Sequence, residues 1–103
     1  MRLQILQVPD CPNAASLRSL LTSLVHDGTR IEKRVVHDES EAATLGMRGS
    51  PTLLVDGTDP FVVAGMPMGL SCRLYRHETG VLSGNPSPAQ LCAALAQRGR
   101  DDG

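Results

Sequence analysis

Apolar and polar positions switch between a period near two and a period near 3.6 along this chain. In Arg2–Val8, Leu3, Ile5, Leu6 and Val8 partly alternate with polar neighbours, which predicts a strand ending at Pro9. Gln4 and Gln7 are awkward in a central strand buried on both faces, so one of them is expected near an exposed end. From Asn13 to His26 the spacing changes. Leu17, Leu20, Leu21, Leu24 and Val25 form one stripe at helical intervals, and Asp27-Gly28 offers a left-handed close.

Arg30–His37 reads as a second strand, and its density of charge suits a sheet edge. Asp38 or Ser40 caps a short helix through Leu45, ended by Gly46. Pro51–Val55 predicts a third strand with proline at its first position, and Asp56-Gly57 a turn. Thr58–Gly69 carries no periodicity and is a long loop for so short a chain. Leu70–Arg76 predicts a fourth strand. Ser87, Pro88 and Gln90 spell a helix start, with Leu91, Ala94 and Leu95 on its apolar face.

The order is β-α-β-α-β-β-α, an α/β sandwich around a four-stranded mixed sheet. The pattern assigns residues 1–97 to one domain and 98–103 to a polar, disordered tail. Composition narrows the core. Tyr75 and Phe61 are the only aromatic residues, so the interior must be aliphatic. A formal net charge of -1 leaves no electrostatic footprint for nucleic acid or an anionic membrane. No apolar run approaches the roughly 20 residues that span a bilayer. The start shows no signal-peptide pattern, so a cytoplasmic location is the expectation. Three cysteines, an odd count, do not suit a disulfide-stapled scaffold.

Two segments carry candidate chemistry. Pro9-Asp10-Cys11-Pro12-Asn13-Ala14 lies between the first strand and the first helix. Leu45-Gly46-Met47-Arg48-Gly49-Ser50-Pro51-Thr52-Leu53-Leu54-Val55 enters the third strand. Together with the element order, these segments resemble the thioredoxin family. The first stands where that family has its C-x-x-C motif. The second resembles its G-[IV]-R-G-[IVS]-P-T-L loop, whose proline is cis and faces the motif cysteine. Ser50–Gly57 followed by Asp59-Pro60-Phe61 is also similar to small bacterial thioredoxin-family proteins catalogued near alkylmercury lyases.

The chemistry expected of Cys11 follows from its position. A thiol attacks as its thiolate, and the free N–H groups of a helix start stabilise that charge. The resemblance implies that Arg48 adds positive potential. It also implies that Ser50, Pro51 and Thr52 hold a substrate, with the Ser50 backbone free to pair with an extended chain. Asp10 opposes the thiolate. Ala14 stands where the family has its second cysteine, so ordinary dithiol release is absent.

Cys72 is the possible second thiol. In the simplest topology it sits about five residues from the active end, roughly 15 Å at ~3.3 Å per residue. That is beyond the ~7 Å between alpha carbons that a disulfide allows. Cys72 and Cys92 therefore read as buried structural residues. Met66, Met68 and Cys72 form a soft-sulfur run, whose plainer reading is a loop folded over the core. His26, His37 and His77 have no metal-ligand spacing, and no cofactor or metal is implied.

Three functions follow. The first is a single-cysteine thiol–disulfide or thiol-transfer protein acting on a protein or low-molecular-weight thiol. The second is a non-catalytic binding module that uses the same groove or the Asp59–Phe61 loop. The third is soft-metal or organomercurial handling through Cys11 and Cys72.

Overall fold

A computed structural model describes residues 1–26 and 28–102, with side chains described through residue 96. The strands are β1 (Leu3–Gln7), β2 (Ile31–Val35), β3 (Arg48–Ser50), β4 (Thr52–Val55), β5 (Gly69–Cys72), β6 (Tyr75–Arg76) and β7 (Leu82–Ser83). The helices are α1 (Pro12–Leu24), α2 (Glu39–Leu45) and α3 (Pro88–Asp102). The fold is mixed α/β. None of the helices, among the described residues, is long and apolar enough to cross a membrane.

The main sheet has the order β2-β1-β4. β1 runs parallel to β2, with Leu3 opposite Ile31, and antiparallel to β4, with Leu3 opposite Val55. The charged strand β2 is an outer strand, as its composition predicts. Alternation along β1 and β4 divides the core in two. Leu3, Ile5, Leu53 and Val55 meet Ala14, Leu17 and Leu21 of α1 and Leu91 of α3. Leu6 and Leu54 face the other way, against Val36, Ala42 and Met47. Gln7 ends the central strand buried, and its amide donates to the Val8 carbonyl at 3.3 Å.

Local chemistry fixes the helix ends. The Asp38 carboxylate accepts from the Glu41 N–H at 2.7 Å, and Gly46 closes α2 at φ +77°, a conformation open to glycine. Asp38→Ala is expected to remove about 1 kcal/mol of stability, measurable as a lower urea midpoint. Ser87 and Gln90 form a reciprocal capping box at α3, with bonds of 3.1 and 2.9 Å. α1 ends at Leu24 with Val25 extended, and Gly28 takes its positive φ beyond the helix. Asp27 lies outside the described residues. So do the side chains of 97–102 and all of Gly103, which cover most of the stretch read as a polar tail.

The sheet departs from the four strands that the sequence pattern predicts. Leu70–Arg76 is divided at Arg73 into β5 and β6, and neither joins the main sheet. β5 pairs in parallel with β3, and β6 pairs with β7. The predicted third strand is present as β4, and a further short strand, β3, precedes it. The Ser50–Pro51 peptide is cis, with β3 before it and β4 after it. The inward and outward alternation continues across the division, with Arg73 and Tyr75 buried and Leu74 exposed, while the pairing passes from β3, through the Arg73 N–H on the Ser50 carbonyl, to β7.

Candidate functional site

Cys11 occupies the turn that lifts the chain from β1 into α1. Asp10 there holds φ +58°, an uncommon conformation for a residue other than glycine. Cys11 is the N-cap residue, extended at φ -72° and ψ 112°, and Pro12 starts the helix. Its carbonyl accepts from the Ala14 N–H at 3.2 Å, while its side chain makes no capping hydrogen bond. The thiol is half-buried against the α1 core cluster and lines an open hollow of about 630 Å³.

Gln7, Asp10, Arg18 and Lys33 share that hollow. Arg18 stands seven residues along α1, two turns further on the same face. Lys33 comes from β2, in register with Ile5. Two cations and one carboxylate thus line the same hollow as the thiol. Neither Arg18 nor Lys33 stands out in the sequence. Arg18 was reachable from helical spacing, whereas Lys33 needs the β1–β2 register. Ala14, at the second-cysteine position, is buried in the core.

The Arg48–Thr52 loop is occupied by its own chain. The Val8 N–H donates to Ser50 Oγ at 3.1 Å, which ties the loop to the end of β1 near Cys11. The Arg73 N–H donates to the Ser50 carbonyl at 3.1 Å. The Ser50 backbone therefore does not present the free edge that the sequence reading expects. Thr52 Oγ1 donates to the Gly49 carbonyl at 2.6 Å and accepts from the Arg48 N–H at 3.1 Å. Arg48 turns to the long loop, where Nη1 donates to the Met66 carbonyl at 2.6 Å. It is not among the residues lining the Cys11 hollow.

Arg73 is the residue that sequence reasoning missed. Its side chain is 1% exposed and grips Asp59, itself 7% exposed, through bonds of 2.6 and 3.3 Å. Nη2 also donates to the Phe61 carbonyl at 2.9 Å. The guanidinium lies 4.7 Å from the centre of the Tyr75 ring, which packs edge-on against Phe61. The Tyr75 hydroxyl donates to the Pro51 carbonyl, and burial pushes that phenol upward, so it stays protonated. The Asp59–Phe61 run is thus a latch between the long loop and the cis peptide. No local motif announces it, since the pair is fourteen residues apart.

Cys72 and Cys92 are both exposed, so neither fills the core as their sequence contexts suggest. Cys72 also lies elsewhere than expected. β5 runs beside β3 with Ser50 in register with Cys72, which brings their alpha carbons to about 5 Å, one strand spacing. The long loop returns the chain to the start of β3, so the antiparallel geometry behind the 15 Å figure does not arise. Cys72 lines a hollow with Met66 and Met68, separate from the hollow of Cys11. His77 Nε2 bonds the Asn85 carbonyl at 2.8 Å, a structural contact. Among the described residues no three His, Cys, Asp or Glu side chains gather to hold a metal.

Comparison with family models, with curated proteins and with solved structures finds no match to this chain.

Proposed function

We propose that this chain is a thioredoxin-like thiol protein in which Cys11 is a single nucleophile for thiol–disulfide exchange or thiol transfer. The observation that carries this reading is the uncommitted Cys11 side chain at the first turn of α1, open to a hollow shared with Arg18 and Lys33. The parallel β1–β2 pair across α1, the antiparallel β4 and the cis Ser50–Pro51 peptide support the thioredoxin-like part.

The chemistry needs one sulfur. The Cys11 thiolate attacks a disulfide sulfur, the substrate S–S bond breaks, and the departing thiolate takes a proton from water. A mixed disulfide on Cys11 results. A second, external thiol then attacks it and restores Cys11, because Ala14 supplies no internal thiol. The self-paired Ser50 edge favours a low-molecular-weight disulfide over an extended polypeptide.

The test is alkylation of the reduced protein by iodoacetamide at pH 7, followed site by site. Cys11 is expected to react roughly tenfold faster than free cysteine, as a stabilised thiolate does, and faster than Cys72 or Cys92. Lys33→Glu should slow it. A Cys11 rate at or below that of free cysteine overturns the proposal. That outcome would leave a second reading, a partner-binding module. Its support is the exposed Val62, Val63, Leu74 and Leu82 around a hollow of about 700 Å³ beside Phe61.

A further inference from the structure

Three sulfur-bearing residues, Met66, Met68 and Cys72, line one hollow of about 180 Å³ together with Arg48 and Arg73. Methionine and free cysteine are ordinarily core residues. Here Cys72 is exposed and Met68, near the end of the long loop, is 46% exposed.

The backbone explains how they converge. β5 enters beside β3 with Gly69 opposite Arg48, but Cys72, three residues later, is opposite Ser50, only two later. That one-residue bulge reverses the alternation. Leu70 packs on the core cluster of Met47 and Leu54, while Cys72 turns outward. The methionines are held from the other side. Arg48 Nη1 grips the Met66 carbonyl at 2.6 Å, and the Gly69 N–H donates to the Met47 carbonyl at 3.0 Å. Of the two guanidinium groups in the lining, Arg73 is paired with Asp59 outside the hollow, while Arg48 is held at its edge by the Met66 carbonyl.

We propose that this hollow is a Cu(I) site, with the Cys72 thiolate and the Met66 and Met68 thioethers as ligands. Thiolate and thioether donors select soft cations, and Cu(I) is the biological metal they suit. Zinc fits poorly. Its structural sites take four cysteine, histidine or carboxylate ligands, and such donors do not gather here among the described residues. Binding releases the Cys72 thiol proton to solvent and forms three sulfur–copper bonds, with no change of oxidation state. The thiolate balances the single positive charge. The site is independent of Cys11, which lines a different hollow.

The experiment is a competition between the reduced full-length protein and a chromophoric Cu(I) chelator, without oxygen, with Cu(I) as the only metal added. One equivalent is expected to stay on the protein. Cys72→Ser and the double variant Met66→Leu/Met68→Leu should each weaken retention at least roughly tenfold, the loss typical when even an outer partner of a metal ligand is removed. Cys11→Ser/Cys92→Ser should leave it unchanged. The proposal is overturned if the chelator strips the wild-type protein completely. It is also overturned if Cys11→Ser/Cys92→Ser loses as much copper as Cys72→Ser. X-ray absorption on the copper-loaded wild type gives a reading that needs no variant. A shell of three sulfurs supports the site, and nitrogen or oxygen neighbours overturn it.

Discussion

Arg73→Ala is expected to lose about 3–5 kcal/mol of folding stability, the usual result of stranding one member of a buried ion pair. The substitution leaves the Asp59 carboxylate at 7% exposure with no cation beside it. It also frees the Phe61 carbonyl and removes the group packed over Tyr75. Urea denaturation measures the loss. The diagnostic comparison is Arg73→Met against Arg73→Met/Asp59→Leu. Removing both charges leaves no buried ion unpaired, so the double variant should be the more stable of the two. A double variant that falls by the sum of the single losses would show that the pair does not couple.

Gly49→Ala is the second large effect, and it reports on how closely β3 and β5 approach. Gly49 sits at φ +94°, so a side chain there is strained by about 1–3 kcal/mol before any contact is considered. A β-carbon would also lie 2.9 Å from the Ser71 carbonyl oxygen and 2.9 Å from the Arg73 β-carbon. Backbone must move to relieve the first of these, so β5 would be pushed from its partner. Gly57→Ala is the control. Its φ of +84° carries the same kind of strain, but open space surrounds it. Gly49→Ala should unfold at lower urea than Gly57→Ala, with faster exchange of the Arg73 amide that bonds Ser50. Equal midpoints would mean that only backbone strain matters.

Much of the local structure is legible in the residues themselves. The Leu17–Leu21 stripe, the Asp38 cap, the Ser87–Gln90 box and the Cys11-Pro12 helix start are each set by neighbours within one or two turns. Their physics is short-range, so the order of residues is enough. The Leu70–Arg76 segment shows where that stops. Its apolar content marks it as extended, but its partners are β3 and β7 in place of the main sheet, and its buried Arg73 meets Asp59, fourteen positions away, only in the folded chain. Cys72 illustrates the same limit. Its exposure follows from a one-residue register shift against β3, which leaves no trace in β5 alone. At the candidate site, Cys11 is visible from its own turn. Lys33 depends on the pairing of β1 with β2, and the occupied Ser50 edge on a strand twenty residues later.

The central position of β1 has a consequence for how the molecule comes into being. Its parallel partner β2 is complete by Val35, but its antiparallel partner ends at Val55, and the Leu3–Val55 pairing joins the two ends of the first half of the chain. Ribosomes add roughly 5–20 residues per second. For a span on the order of seconds, a nascent chain holding β1, α1 and β2 would carry one side of its most apolar strand without a neighbour. Until β4 emerges, the Leu3–Leu6 stretch is the segment that a chaperone, or a second nascent chain, would meet first.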